Sequence, residues 1–138
     1  PNDDGPVRSL RMALRCADME PGQIGYINAH ATSTPIGDMN EARAIDEVFG
    51  SHKPYVTSTK SQTGHEMWMA GASEVIYSML MMQGGFIAPN LNFEEPDEAS
   101  ARLNIPAERV DCAFDTFLSN SFGFGGTNST LIVKKYKP

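Results

Sequence analysis

Two histidines stand in short polar segments of this chain: His30 in Asn28-Ala-His-Ala-Thr-Ser-Thr34 and His65 in Lys60-Ser-Gln-Thr-Gly-His65. A neutral imidazole can serve as a general base or donate an N–H to a developing oxyanion, and two imidazoles can share one oxygen. Lys60 could add a compensating positive charge or anchor a hydrogen-bond network; by itself it reads as a surface lysine. Each segment follows an apolar run, Ile24-Gly-Tyr-Ile27 and Tyr55-Val-Thr57, so each histidine is expected where a strand ends, a common place for reactive groups in α/β proteins. On local chemistry alone, two structural histidines remain the alternative. Acyl transfer would also need a nucleophile, and neither Cys16 nor Cys112 sits in a setting that activates a thiol.

Other polar groups sharpen or narrow this reading. Glu74, nine residues after His65, lies in the most apolar stretch, where an unpaired carboxylate would cost several kcal/mol to bury. It therefore needs Lys60, a backbone cluster, a bound cation or a polar seam. The Gly123-Phe-Gly-Gly126 loop is neither a dinucleotide fingerprint, since Asn128 stands where the third glycine belongs, nor a phosphate loop. Its glycines supply positive φ values and expose backbone N–H groups, either for an oxyanion hole or simply for a tight hairpin. His30, Asp38 and Glu41 are conceivable metal ligands, but nothing in their spacing sets them on one face with a second histidine.

The elements that must position these groups follow from periodicity. Apolar residues at helical spacing predict a helix over 6–17, closed by Pro21-Gly22. A strand over 24–29, a turn over 34–38 and a helix over 38–49 stopped by Gly50 come next. A second strand spans 55–58, and a third helix spans 63–82 with Thr63 as its N-cap. That helix is apolar nearly all round, which predicts burial inside a layered protein. Glu66 and Glu74 interrupt it, which argues against a membrane span. After Gly84-Gly85 the chain is extended over 86–92 and an acidic loop with a short helical turn over 93–106. Strands over 114–120 and 130–133, joined by the glycine-rich 121–128 segment, form a terminal hairpin. The alternation implies an α/β protein with a mixed sheet flanked by helices.

Size and charge set outer bounds. With 138 residues and 41 % hydrophobic content, residues 1–138 are expected to form a single domain. A net charge of −6 argues against nucleic acid, and Lys134, Lys135 and Lys137 read as a solvated end. Two cysteines without metal-ligand spacing suggest a reducing compartment, hence a cytoplasmic location. The start at Pro1, without a methionine or a signal-peptide pattern, predicts a piece of a longer chain.

The segment from Asn28 to Asp38, the Lys60 to His65 segment, and Ser119-Asn-Ser-Phe-Gly-Phe-Gly-Gly-Thr-Asn128 together resemble the β-ketoacyl-acyl-carrier-protein synthases, over nearly the whole chain. Gly85-Phe-Ile-Ala-Pro-Asn-Leu-Asn92 is more similar to the type I branch of the bacterial enzymes than to type II. The resemblance implies the C-terminal half of a thiolase-like fold, in which two pseudo-repeated halves stack as five αβαβα layers and the 63–82 helix belongs to the central layer. The nucleophilic cysteine of such enzymes lies in the N-terminal half.

By the same resemblance, the full enzyme performs a decarboxylating Claisen condensation of malonyl-carrier protein with an acyl-enzyme thioester in fatty acid elongation. His30 and His65 correspond to the histidines that hold the malonyl thioester oxygen, and Lys60 to the lysine that organises them. Glu74 corresponds to its carboxylate partner. With Asn28, Ser119 and Asn120, Glu74 falls where some members hold a structural monovalent cation; no other cofactor is implied. Thr32 and Thr34 correspond to threonines that bind the pantetheine arm. Phe124 corresponds to the gating phenylalanine whose N–H completes an oxyanion hole, with Phe122 beside it. Acyl carrier protein, the N-terminal half and a second copy in a homodimer are the implied partners. Glu66-Met-Trp-Met69 replaces the small residues common after the second histidine, which leaves acyl length open. Retained His30, His65 and Lys60 weigh against a non-catalytic chain-length-factor-like subunit, and the motifs weigh against a thiolase acting on coenzyme A esters.

Overall fold

The computed structural model describes residues 4–137. The chain opens with α1 (Asp4–Ala17), whose Val7, Leu10 and Leu14 recur at helical spacing and are buried. A 3-10 turn at Pro21–Gln23, where Glu20 and Gln23 form a reciprocal capping box, leads into β1 (Tyr26–Asn28). The next helix, α2 (Pro35–Phe49), starts three residues before the expected boundary. Pro35 occupies its first turn, where a fixed φ suits the helix and a missing N–H costs nothing. Asp38 Oδ1 then accepts the Thr34 N–H at 3.2 Å.

After β2 (Tyr55–Thr57) the chain departs from expectation. In place of one helix over 63–82, a single turn α3 (Lys60–Thr63) is followed by a break and then by α4 (Ala70–Gly84). Thr63 ends α3 and does not cap α4. Gly64 at φ 77°, ψ −179° and Met67 at φ 56° swing the backbone through the His65 segment, and a 3-10 turn at Met67–Met69 rejoins the helical path. An unbroken helix would set Lys60 and His65 about 140° apart around its axis, given about 100° per residue. The break frees them from that constraint.

Gly85 closes α4 in the left-handed conformation, φ 67° and ψ 41°, donating its N–H to Met81 O. The expected 86–92 extension contains only the two-residue β3 (Phe86–Ile87), paired antiparallel with β4 (Val110–Asp111). β4 is too short to show a period, and no strand was expected there. The hairpin strand β5 (Thr116–Phe122) lies two residues later than expected at the same length, β6 (Asn128–Lys134) is longer than expected, and the two pair over seven residues. Their connection contracts to residues 123–127, where Gly125 and Gly126 take φ of 81° and 83°.

The main sheet has the order β2-β1-β5-β6, with β1 parallel to β2 and to β5, and β6 antiparallel to β5. Side-chain alternation splits its faces. Ile27 and Leu118 join Leu10, Leu14, Ile45 and Phe49 of α1 and α2 on one side. Tyr26 and Phe117 join Met81 of α4 and Ile87 of β3 on the other. This is the mixed sheet between helices that the element order implied.

α4 is not buried all round, and its amphipathicity is inverted. Ala70, Ser73, Glu74, Ser78 and Met81 are buried, whereas Ile76, Met79 and Leu80 are exposed. The sheet side carries the polar groups because the strand ends it covers are themselves polar. Among the described residues, no helix is long and apolar enough to cross a membrane.

Candidate active site

His30 lies two residues beyond the end of β1, and Lys60 and His65 follow β2, so three of the expected groups leave the same ends of adjacent parallel strands. In open α/β sheets, ligands bind at these carboxyl ends. The two imidazole rings meet edge to face, with centroids 5.6 Å apart and planes at 86°. The Phe122 ring, at the end of β5, stands 6.3 Å from His30.

The loop bearing His30 is held from behind. Glu41, buried on α2, accepts the backbone N–H of His30 at 2.9 Å and that of Ala31 at 2.8 Å. The Asn120 amide donates to the same carboxylate at 3.0 Å, and Thr130 donates its hydroxyl to Asn120 Oδ1 at 3.0 Å. Burial pushes the Glu41 carboxyl upward against these hydrogen bonds. Glu41 is therefore a loop anchor; among the described residues no three His, Cys, Asp or Glu side chains converge to hold a metal. Its role was missed in the sequence. The one available signal is an acid in the first turns of a helix that follows directly on the His30 loop.

Lys60 and Glu74 form a buried ion pair, the partner that Glu74 required. Burial raises the Glu74 carboxyl, and the Lys60 hydrogen bond and charge oppose that shift. The surrounding network is dense. Asn28 donates its amide to Ser78 Oγ at 3.1 Å, with longer contacts to Thr59 Oγ1 at 3.3 Å and Glu74 O at 3.4 Å, and Ser78 donates to Glu74 O at 2.7 Å. Two buried oxygens here, Asn28 Oδ1 and Glu74 Oε2, have no hydrogen-bond partner.

Burial lowers the His30 imidazole to about 4, helped by the Lys60 and His65 charges, so the ring is neutral near pH 7. His65 is exposed and accepts the Met67 N–H at Nδ1, 3.1 Å away. When neutral it therefore carries its proton on Nε2 and offers that N–H outward from the backbone.

The other expected residues divide. Ser119 pairs in register with Asn28 and lies on the same sheet face, toward α4. Asn120 does not join them: alternation turns its side chain to the opposite face, against Glu41. Thr32 and Thr34 hydroxyls lie 3.3 Å apart on the loop before α2. Phe124 is fully exposed at the tip of the glycine turn. A cavity of about 230 Å³ opens beside α2, lined in part by Asp38, Glu41, Ser58, Asn90 and Asp97, and neither imidazole lines it.

Mixed strands under helices on both faces, with this polar cluster at the strand ends, are the architecture of the thiolase-like α/β proteins. The chain superposes with a TM-score of 0.93 and 36 % identity on the ishigamide ketosynthase/chain length factor, over 99 % of this chain and 34 % of that one. It matches a beta-ketoacyl synthase from Burkholderia phymatum with the same figures. Residues 1–94 match the family model described as beta-ketoacyl synthase, C-terminal domain, and the chain belongs to that family.

Among curated relatives, it is 50 % identical to 3-oxoacyl-[acyl-carrier-protein] synthase 1 of Escherichia coli K12 over 137 residues, 99 % of this chain and 33 % of the relative. The corresponding synthase 2 of Coxiella burnetii is 44 % identical, over 98 % of this chain and 33 % of the relative. The chain thus spans about a third of the length of the curated relatives it matches, a smaller share than the half implied by the resemblance.

Proposed function

We propose that this chain is the C-terminal part of a decarboxylating β-ketoacyl-carrier-protein synthase, to which it contributes the groups that receive the malonyl thioester. The observation that carries this reading is the facing His30 and His65 pair, one ring neutral by burial, beside the buried Lys60–Glu74 pair at the ends of two parallel strands. Two N–H donors aimed at one thioester oxygen stabilise the negative charge that gathers there as the carbon–carboxylate bond breaks and carbon dioxide leaves. The enolate carbon then attacks the carbonyl of an acyl group held on a cysteine supplied by the remainder of the protein. A carbon–carbon bond forms, and the cysteine thiolate departs with the electron pair.

In this assignment His30 and His65 hold the thioester oxygen, and Lys60, neutralised by Glu74, keeps the local field in place. Thr32 and Thr34 line the approach of the pantetheine arm. The Phe124 N–H serves the acyl carbonyl, with its ring as a gate beside Phe122. The partnerless Asn28 Oδ1 and Glu74 Oε2, with Ser119 on the same face, fit a monovalent cation, whereas the Asn120 side chain is committed elsewhere. A cation there would supply positive charge to a buried oxygen cluster. Acyl carrier protein is the proposed substrate carrier, a homodimer the proposed assembly and the cytoplasm the proposed location.

The test uses the full-length protein and malonyl-carrier protein, with carbon dioxide release as the readout. His30→Ala and His65→Ala are each expected to lower kcat about 100-fold or more, the scale of losing one oxyanion donor. No decarboxylation by the parent would favour a non-catalytic subunit, and parent-like rates in both variants would remove the two imidazoles from the reaction.

A further inference from the structure

The bulky segment after His65 contains a tie that the proposed reaction does not use. Glu66 Oε1 accepts the Tyr77 hydroxyl at 2.8 Å, joining the break before α4 to the body of that helix. The adjoining residue, Met67, has φ 56°, a conformation that favours glycine, and its N–H reaches back to His65 Nδ1 at 3.1 Å. His65 is exposed, so packing alone does not immobilise its ring. Besides its edge contact with the His30 ring, it is oriented by the hydrogen bond from one backbone N–H, and that N–H belongs to a peptide in an unfavourable conformation. A structure holds such a conformation only where its surroundings over-determine it. The Glu66–Tyr77 hydrogen bond supplies that restraint one residue away. The nearby Ser73 and Tyr77 hydroxyls hold the Glu66 carboxyl below the usual carboxylate range, so it is an ionised acceptor at neutral pH.

We infer that Glu66 is a positioning residue: tied to Tyr77, it holds the Met67 N–H on His65 Nδ1 and so presents the His65 Nε2–H to the substrate. The consequence for rate rests on the condensing-enzyme reading above; the effect on the imidazole does not. Glu66 touches no reacting atom in this scheme and acts only through the Met67 peptide.

The experiment uses full-length protein labelled with 15N-histidine, with the His65 signals assigned by their loss in His65→Gln. Nitrogen NMR at a pH where the ring is neutral is expected to show one tautomer in the parent, with Nδ1 unprotonated. Glu66→Gln should keep that pattern, because the amide oxygen still accepts the Tyr77 hydroxyl. Glu66→Ala and the nearly isosteric Tyr77→Phe should both shift His65 to exchanging tautomers. In the carbon dioxide assay, those two variants should lose about tenfold in kcat with KM for malonyl-carrier protein within about twofold, since positioning for the transition state is what is lost. Glu66→Gln should stay within about twofold of the parent. An unchanged His65 tautomer in Glu66→Ala and Tyr77→Phe overturns the inference whatever the rates show. A parent protein that does not decarboxylate overturns only the functional reading, and the nitrogen spectra still decide the role of Glu66.

Discussion

The same two features that make His30 useful also make it pH-sensitive: partial burial and the nearby Lys60 and His65 charges. Its pKa of about 4 lies below the ordinary 6.5. Between those values the unfolded chain binds a proton that the folded chain refuses. The contribution to stability is therefore fully present above pH 6.5 and is lost as pH falls toward 4. In the full-length protein, an NMR titration of the His30 ring should give a midpoint below pH 5, and unfolding free energy should decline from pH 6.5 to 4.5 more steeply than in His30→Gln. A His30 midpoint near 6.5 would contradict the assignment. His30, His65, Lys60 and Glu74 were all legible as residues, because histidines in polar segments and an acid in an apolar stretch stand out. Glu41 and Asn120 were not legible in their observed roles, since nothing local says that an α2 acid reaches back to the His30 loop or that a β5 amide serves it from the far face.

At the scale of elements, α4 shows how periodicity can give apolar character without giving direction. Its Ser73, Glu74 and Ser78 turn inward, Ser78 meeting Asn28 and Glu74 meeting Lys60, and Ile76, Met79 and Leu80 are left outside. The break at residues 64–69 was hidden because Met67, Trp68 and Met69 read as helix formers, and only Gly64 hinted at it. The other end of α4 was plain, since paired glycines are the ordinary helix stop. A Cβ added at Gly85 would meet nothing within 4 Å, so only its φ of 67° opposes substitution. Gly85→Ala in the full-length protein is expected to cost about 1 kcal/mol, the left-handed penalty for an L-residue. Urea unfolding should show this as a lower midpoint with an unchanged slope. An unchanged midpoint would mean that the turn can relax to a negative φ.

For the whole molecule, the decisive fact is that the chain spans about a third of its curated relatives. The exposed face of α4, with Ile76 and Leu80, adjoins Met67, Met69 and the fully exposed Trp68. Contiguous apolar surface of this kind drives association when it is left bare. The 138-residue chain on its own is expected to self-associate, with light scattering giving a mass that rises with concentration. A monodisperse monomer at high concentration would show that this face tolerates water. The full-length protein, with the rest of the thiolase-like layers in place, should not show that concentration dependence beyond its native assembly.

The order of elements, the apolar character of α4, the glycine stops and the reactive residue types were determined by the sequence itself, because each depends on neighbours within a turn or a strand. Tertiary structure alone decided that α4 turns its polar side inward, that Asn120 leaves the Asn28 cluster for Glu41, and that the His65 segment is a break and not a helix. Those outcomes depend on which strand ends a residue meets across the sheet. Such contacts join positions as far apart as Glu41 and Asn120, and local periodicity carries no information about them.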